Sequence, residues 1–173
     1  MEYISSDTNV WFDFDAISRL DIPFRLPCTY IMYEEALLTE VISPPELLQE
    51  LRKLGLMGVE ITTEEFFYVN DEIGKYTKLS IYDKIALAIA KKRNIPLLTG
   101  DNALRKAAKQ EGVTVIGTIG LLDELYSRSL VTTEEYRDCL ESLERNPERR
   151  LPTDEIRRRL EKVAQRECLA KGT

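Results

Sequence analysis

Asp7, Asp83 and Asp101 stand at the ends or edges of apolar stretches, and Glu40 interrupts another. In "YISSDTNVW" a run of β-forming residues stops at Asp7, and "IPLLTGD" stops at Asp101 after the turn residue Gly100. "LSIYDKIALAIA" places Asp83 three residues after Ser80, on the helical face of Ala86, Leu87 and Ala90. "EALLTEV" sets Glu40 three residues after Leu37 and beside Val41, at the border of the face that must cover a sheet. Carboxylates brought together at one edge cannot all stay ionised without a cation, so the chemistry they point to is divalent metal binding. Each also has a structural role open to it. Asp7 can serve a turn or a helix cap, with Asn9 in the same turn. Asp83 can close a capping box with Ser80, and Asp101 can sit in a turn whose Asn102 caps the next helix. Glu34 and Glu35 lie near Glu40 and compete with it for the second place.

Composition narrows the chemistry. The chain has no histidine, which removes Ser-His-Asp and Cys-His triads, imidazole acid–base catalysis and His-rich metal sites. Cys28, Cys139 and Cys168 are odd in number, widely spaced and without a C-x-x-C pair, which argues against a disulfide framework or a zinc site and fits a reducing cytosol. A metal here must be held by oxygen, and that favours Mg²⁺ or Mn²⁺. No apolar run approaches the roughly 18 residues of a membrane span, and the start, Met1-Glu2-Tyr3-Ile4, lacks the charged and apolar regions of a signal peptide. A cytoplasmic protein without a membrane partner is expected.

The elements that must carry these acids can be read from periodicity. Five short apolar runs are predicted strands: Tyr3–Ser6, Cys28–Met32, Met57–Ile61, Pro96–Thr99 and Val113–Ile116. Helical patterns at Glu34–Val41, Pro45–Leu54, Ser80–Arg93 and Ala103–Glu111 lie between them, with Ser80 as an N-cap and Gly112 as a stop signal. This alternation predicts an α/β domain with a mostly parallel sheet. In such sheets ligands bind at the carboxyl ends of the strands, where strand order reverses. Past Gly117 only helical patterns follow. A division into a domain over residues 1–130 and a helical extension over 131–173 is expected.

"SDTNVW", "ALLTEV", "LSIYDKIALAIA" and "LLTGDNALRKAA…GVTVIGTIGLLDEL" occur in the order seen in PIN domains, and residues 3–126 resemble that family of metal-dependent nucleases. The resemblance implies a three-layer α/β/α sandwich around a five-stranded parallel sheet, with Asp7, Glu40, Asp83 and Asp101 as catalytic and metal-binding acids. Thr8 and Asn9 match the family's Asp-Thr-Asn turn, and Thr99 matches its hydroxyl residue before the last acid. It implies one or two Mg²⁺ or Mn²⁺ ions and hydrolysis of RNA to 5′-phosphate and 3′-hydroxyl ends. It further implies toxins of toxin–antitoxin pairs as relatives, an antitoxin protein as partner, and a homodimer. Ala103 departs from the pattern, standing where many members carry a further aspartate, and this weakens the case for a second metal. The alternative is a catalytically weak PIN scaffold that serves as a protein or RNA interaction module. Phosphotransfer to an aspartate fits poorly, because Asn9 stands where phosphatases of that kind need a second Asp.

The formal charge is −6 but unevenly spread: residues 1–75 carry 15 acids against 5 bases, and residues 76–173 carry 15 against 19. A basic surface beside an acidic site suits RNA, while solvated helix faces explain the same charges. Lys84, Arg105 and Lys106 are the candidate phosphate contacts, Arg105 foremost because it lies one helical turn beyond Asp101. In the tail, Leu151, Ile156, Leu160, Val163 and Ala164 form an apolar stripe opposite a basic face that includes Arg149, Arg150, Arg157, Arg158, Arg159, Lys162, Arg166 and Lys171. The stripe requires a partner surface, in its own domain or a second subunit.

Overall fold

In the computed structural model, which describes residues 2–41, 45–146 and 151–171, all five expected runs become strands: β1 (Glu2–Ser6), β2 (Cys28–Tyr33), β3 (Met57–Val59), β4 (Leu97–Leu98) and β5 (Val115–Ile116). They form one sheet in the order β3-β2-β1-β4-β5, and every pairing is parallel. Strand order therefore runs outward in one direction from β1 through β2 and β3, and in the other through β4 and β5. The reversal falls between β1 and β4, so the residues that follow them, Asp7 and the Thr99–Asp101 turn, meet at the crevice such a reversal opens.

The predicted helices appear as α2 (Glu34–Glu40), α3 (Pro45–Leu54), α5 (Ile81–Lys92) and α6 (Asn102–Gln110). Two further helices, α1 (Thr8–Ala16) and α4 (Thr63–Asp71), fill segments without a clear helical stripe, and α7 (Thr118–Ser127), α8 (Thr133–Arg145) and α9 (Thr153–Lys171) make up the C-terminal part. Ser80 caps α5 as expected, whereas Asp101 rather than Asn102 caps α6. Gly112 follows α6 at φ +71°, a backbone state that favours glycine.

Alternation along the strands divides the core in two. Tyr30, Met32 and Leu98 face a cluster built with Trp11, Phe14, Leu37, Leu51, Leu121 and Leu125. Ile31 and Leu97 face a second, with Tyr68, Ile85, Ile89, Leu104 and Ala108. Apolar surface on both sheet faces is thus covered by helices, giving the three layers. Small residues bring α5 down onto the central strand: Ala86 and Ala90 are buried, and Ser5 Oγ donates to the Ala86 carbonyl at 3.0 Å. The C-terminal helices join the first cluster through Tyr136, Leu140, Leu143, Ile156 and Val163. The tail's stripe thus packs on its own domain, with Ala164 left exposed. Arg149 and Arg150 lie outside the described residues, as does the Lys171 side chain. No helix among the described residues is long and apolar enough to cross a membrane.

A charged knot also ties α8 to the start of the chain. Glu135 accepts from Arg19 and from Arg25, each at 2.9 Å, and from the Thr132 amide at 3.0 Å, while Asp21 pairs with both arginines. The Arg25 hydrogen bond, helped by Thr132 and Arg19, holds the Glu135 carboxyl down at about 2 from an ordinary 4.5. A carboxyl depressed by folding stabilises above its unfolded value, and that contribution is lost as pH falls toward 2. Glu135→Gln is therefore expected to lower Tm by about 2–4 °C at pH 7. In melts at falling pH the difference should shrink below about 4.5 and close only toward about 2; a deficit that does not shrink over that range would mean packing, not charge, is the cause.

Candidate metal centre

Asp7 follows β1 as the N-cap of α1, so the chain itself turns the carboxylate across the end of the sheet. It is only 6% exposed. Thr8 N donates to its Oδ1 at 2.7 Å, and Asn9 Nδ2 and Thr99 Oγ1 donate to Oδ2 at 3.0 and 2.8 Å. The Thr8 hydroxyl also donates to Glu40 Oε2 at 3.0 Å, which brings the end of α2 to the same place. Glu34 instead pairs with Arg52, and Glu35 accepts from Tyr33, so of the three neighbouring glutamates it is Glu40 that reaches Asp7. The residues expected to support the site, Thr8, Asn9 and Thr99, all touch Asp7.

Electrostatics bind Asp83 to the pair. Burial pushes the Asp7 carboxyl above its ordinary range, and the Asp83 charge adds to the effect against the hydrogen bonds that oppose it. Glu40 is raised by burial first, then by Asp7 and Asp83, while the Thr8 hydroxyl opposes the shift. Among the described residues no lysine or arginine forms an ion pair with Asp7, Glu40, Asp83 or Asp101. A crevice of about 10 Å³, lined by Asp7, Glu40, Tyr82 and Ala86 among others, leaves room of the order of one water or ion.

Asp83 and Asp101 have a second employment. Asp83 Oδ2 accepts from the Ser80 amide at 2.8 Å while Ser80 Oγ accepts from the Asp83 amide at 3.0 Å, a complete capping box. Asp101 Oδ1 accepts from Leu104 N at 2.7 Å, and its own amide donates to Thr99 Oγ1 at 3.0 Å. Thr99 thus bridges Asp101 to Asp7. In this arrangement no three Asp, Glu or Cys side chains among the described residues are disposed to hold a metal ion. The donor set (oxygen only, crowded, uncompensated by cations) suits a hard divalent ion. The caps engage one carboxylate oxygen of each, Oδ2 of Asp83 and Oδ1 of Asp101.

The expected phosphate contacts are spread out. Arg105 lies nearest the site, its Nη1 donating to the Thr99 carbonyl at 3.5 Å. Lys84 turns to the Gly74 carbonyl at 3.4 Å, and Lys106 is exposed on α6. One buried acid was not legible in advance. Asp13, one turn beyond Asn9, is 4% exposed and accepts from Thr118 Oγ1, joining α1 to the start of α7 near Gly100. "FDFDA" carries no signal that separates it from a surface acid; only the contact between α1 and α7 reveals it.

A family model described as DUF3368, a PIN domain, matches residues 3–165. No curated protein and no solved structure matches the chain.

Proposed function

The chain belongs to the PIN-domain family, and from that premise we propose that it is a metal-dependent endoribonuclease whose centre is formed by Asp7, Glu40, Asp83 and Asp101. What supports the reading is that Asp7 and Glu40 share the Thr8 hydroxyl at the strand-order reversal, with the Asp83 charge acting on both and no cationic partner among the described residues.

These four acids would hold one or two Mg²⁺ or Mn²⁺ ions. When bound, such an ion supplies a water of lowered pKa for in-line attack on a phosphodiester and neutralises charge on the phosphate. The chain's own residues prepare for this. Thr99, Asn9 and the Thr8 amide fix the orientation of Asp7. Thr8 holds Glu40 to it, and Thr99 sets the position of the Asp101 backbone. Arg105 stands beside the Asp101 turn as a phosphate contact. An antitoxin partner, a toxin role, a homodimer and a cytoplasmic location go with this reading as proposals.

A second reading, a scaffold with little catalysis, draws on Ala103 and on the commitment of Asp83 and Asp101 to helix caps. Incubation of the purified chain with labelled RNA and Mn²⁺, with and without EDTA, separates the two. Cleavage to 5′-phosphate ends that EDTA stops is expected. A Tm that does not respond to Mn²⁺, together with intact RNA, would favour the scaffold.

A further inference from the structure

A cleft of about 400 Å³ opens beside the Asp101 turn, with Gly100, Asn102 and Arg105 in its lining. Glu155 and Arg159 line both this cleft and another of about 500 Å³ between α7 and α9, so the two adjoin and make a channel running from the Asp101 turn to the tail. Arg158, Lys162 and Arg166 line the far part.

Their neighbours on α9 and α8 are neutralised. Arg157 pairs with Glu144, Arg159 grips Asp123 through two nitrogens, and Arg137 pairs with Glu167. Among the described residues Arg158, Lys162 and Arg166 have no ion pair. They fall at every fourth position of one helix, a row of like charges that repel one another along the axis. Such a row costs the helix stability unless an external anion meets it. Its step is about 6 Å, comparable with the separation of successive phosphates in a single strand. Beside it in the same cleft the half-buried Tyr126 stacks on the buried Tyr136 with centroids 4.4 Å apart and planes 9° from parallel, which leaves the Tyr126 ring as the aromatic surface on which a base can stack.

We infer that this channel is the track for single-stranded RNA on its way to or from the acids, with successive phosphates on Arg158, Lys162 and Arg166. The inference rests on the ribonuclease reading for its direction toward the acids. The pitch of the row, the aromatic surface and the continuity with the site favour an RNA strand over an acidic protein.

The test uses the full chain in EDTA, a fluorescently labelled oligouridylate, and a series of salt concentrations. The triple variant Arg158→Gln/Lys162→Gln/Arg166→Gln should melt at or slightly above the wild type, since all three side chains lie at the surface and their mutual repulsion is removed. It should lose about 2 from the slope of log K against log[salt], the share of three phosphates on a single strand. Lys53→Gln/Lys78→Gln, with exposed lysines on other elements, should keep the wild-type slope. An unchanged slope in the triple variant would overturn the inference, as would a wild type that does not bind the oligouridylate. So would tighter binding of polyglutamate than of RNA, lost in the triple variant, which would mark an acidic protein as the occupant. Cleavage of a dinucleotide with Mn²⁺, too short to reach the row, reports on the ribonuclease reading separately. A chain that fails there but passes the salt test keeps the RNA track and loses the nuclease.

Discussion

On the proposed reading, Asp7→Asn is expected to lose RNA cleavage by about a hundredfold or more, on the order of what removing groups around a metal costs, and yet to melt higher than the wild type at pH 7. Both effects come from one buried carboxylate without a cationic partner among the described residues. Burial and the Asp83 charge raise its pKa on folding. A group raised in this way contributes stability that is fully present below its unfolded value and is lost as pH rises through the folded one. The wild type has therefore given up that contribution at neutral pH, whereas an amide never does. The gain of the variant should shrink as pH falls and vanish near the ordinary aspartate value of 3.8. The amide fits once its oxygen takes the Thr8 donor, the Thr99 hydroxyl turns to accept and the Asn9 side chain turns its own oxygen toward the new amide nitrogen. Thermal melts from pH 3 to 8 and cleavage assays on the same preparations check both halves. A variant that melts early and cuts normally would show that Asp7 serves the fold alone.

Removing the tail has the largest expected effect on stability. From sequence, deletion from Pro147 onward is a natural way to strip basic charge while leaving the acids untouched. The packing of α9 changes that expectation. Ile156 and Val163 are 1% and 2% exposed within the same cluster that holds Trp11 and Leu37. Burying each contributes about 1.5–3 kcal/mol. Arg159 and Tyr136 share Asp123, with Arg159 contacts of 2.6–2.8 Å, and deletion would strip the carboxylate of its cation. The summed loss of several kcal/mol is a large part of the roughly 5–15 kcal/mol that holds a domain together. The truncated chain is expected to melt at least 10 °C lower or to be recovered unfolded. A cooperative melt close to that of the full chain would mean α9 contributes little. The charge of the tail is better probed by substitution than by deletion.

The sheet was legible because its strands are buried on both faces, which writes them as continuous apolar runs ending in turn residues. β1 and β2 each run one residue beyond the expected stretch, and β3, β4 and β5 fall within theirs, each two residues shorter, where pairing rather than composition sets the ends. Two helices were hidden for different reasons. In α1, Thr8, Val10, Trp11, Asp13 and Phe14 are all buried, so polar and apolar residues share the inner side and no stripe stands out. In α4, Phe66 and Phe67 are more than half exposed, so the strongest apolar pair points away from the core. Its Thr62–Glu65 capping box was the overlooked signal. Asp7 and Asp101 could be placed from strand ends alone. The choice of Glu40 over Glu34 and Glu35 could not, since it depends on a hydroxyl 32 residues away.

The capping boxes have a consequence for how the centre fills. Asp83 Oδ2 holds the Ser80 amide, while the Asp83 charge acts on Asp7. On the proposed reading, an ion that drew Oδ2 away from Ser80 would open the first turn of α5, and filling the centre and fraying the helix would then be two descriptions of one equilibrium. Exchange of the Ser80 amide proton would quicken as cation is added. Ligation through Oδ1 alone would leave that proton as shielded as before, so the helix end would register which oxygen the ion takes.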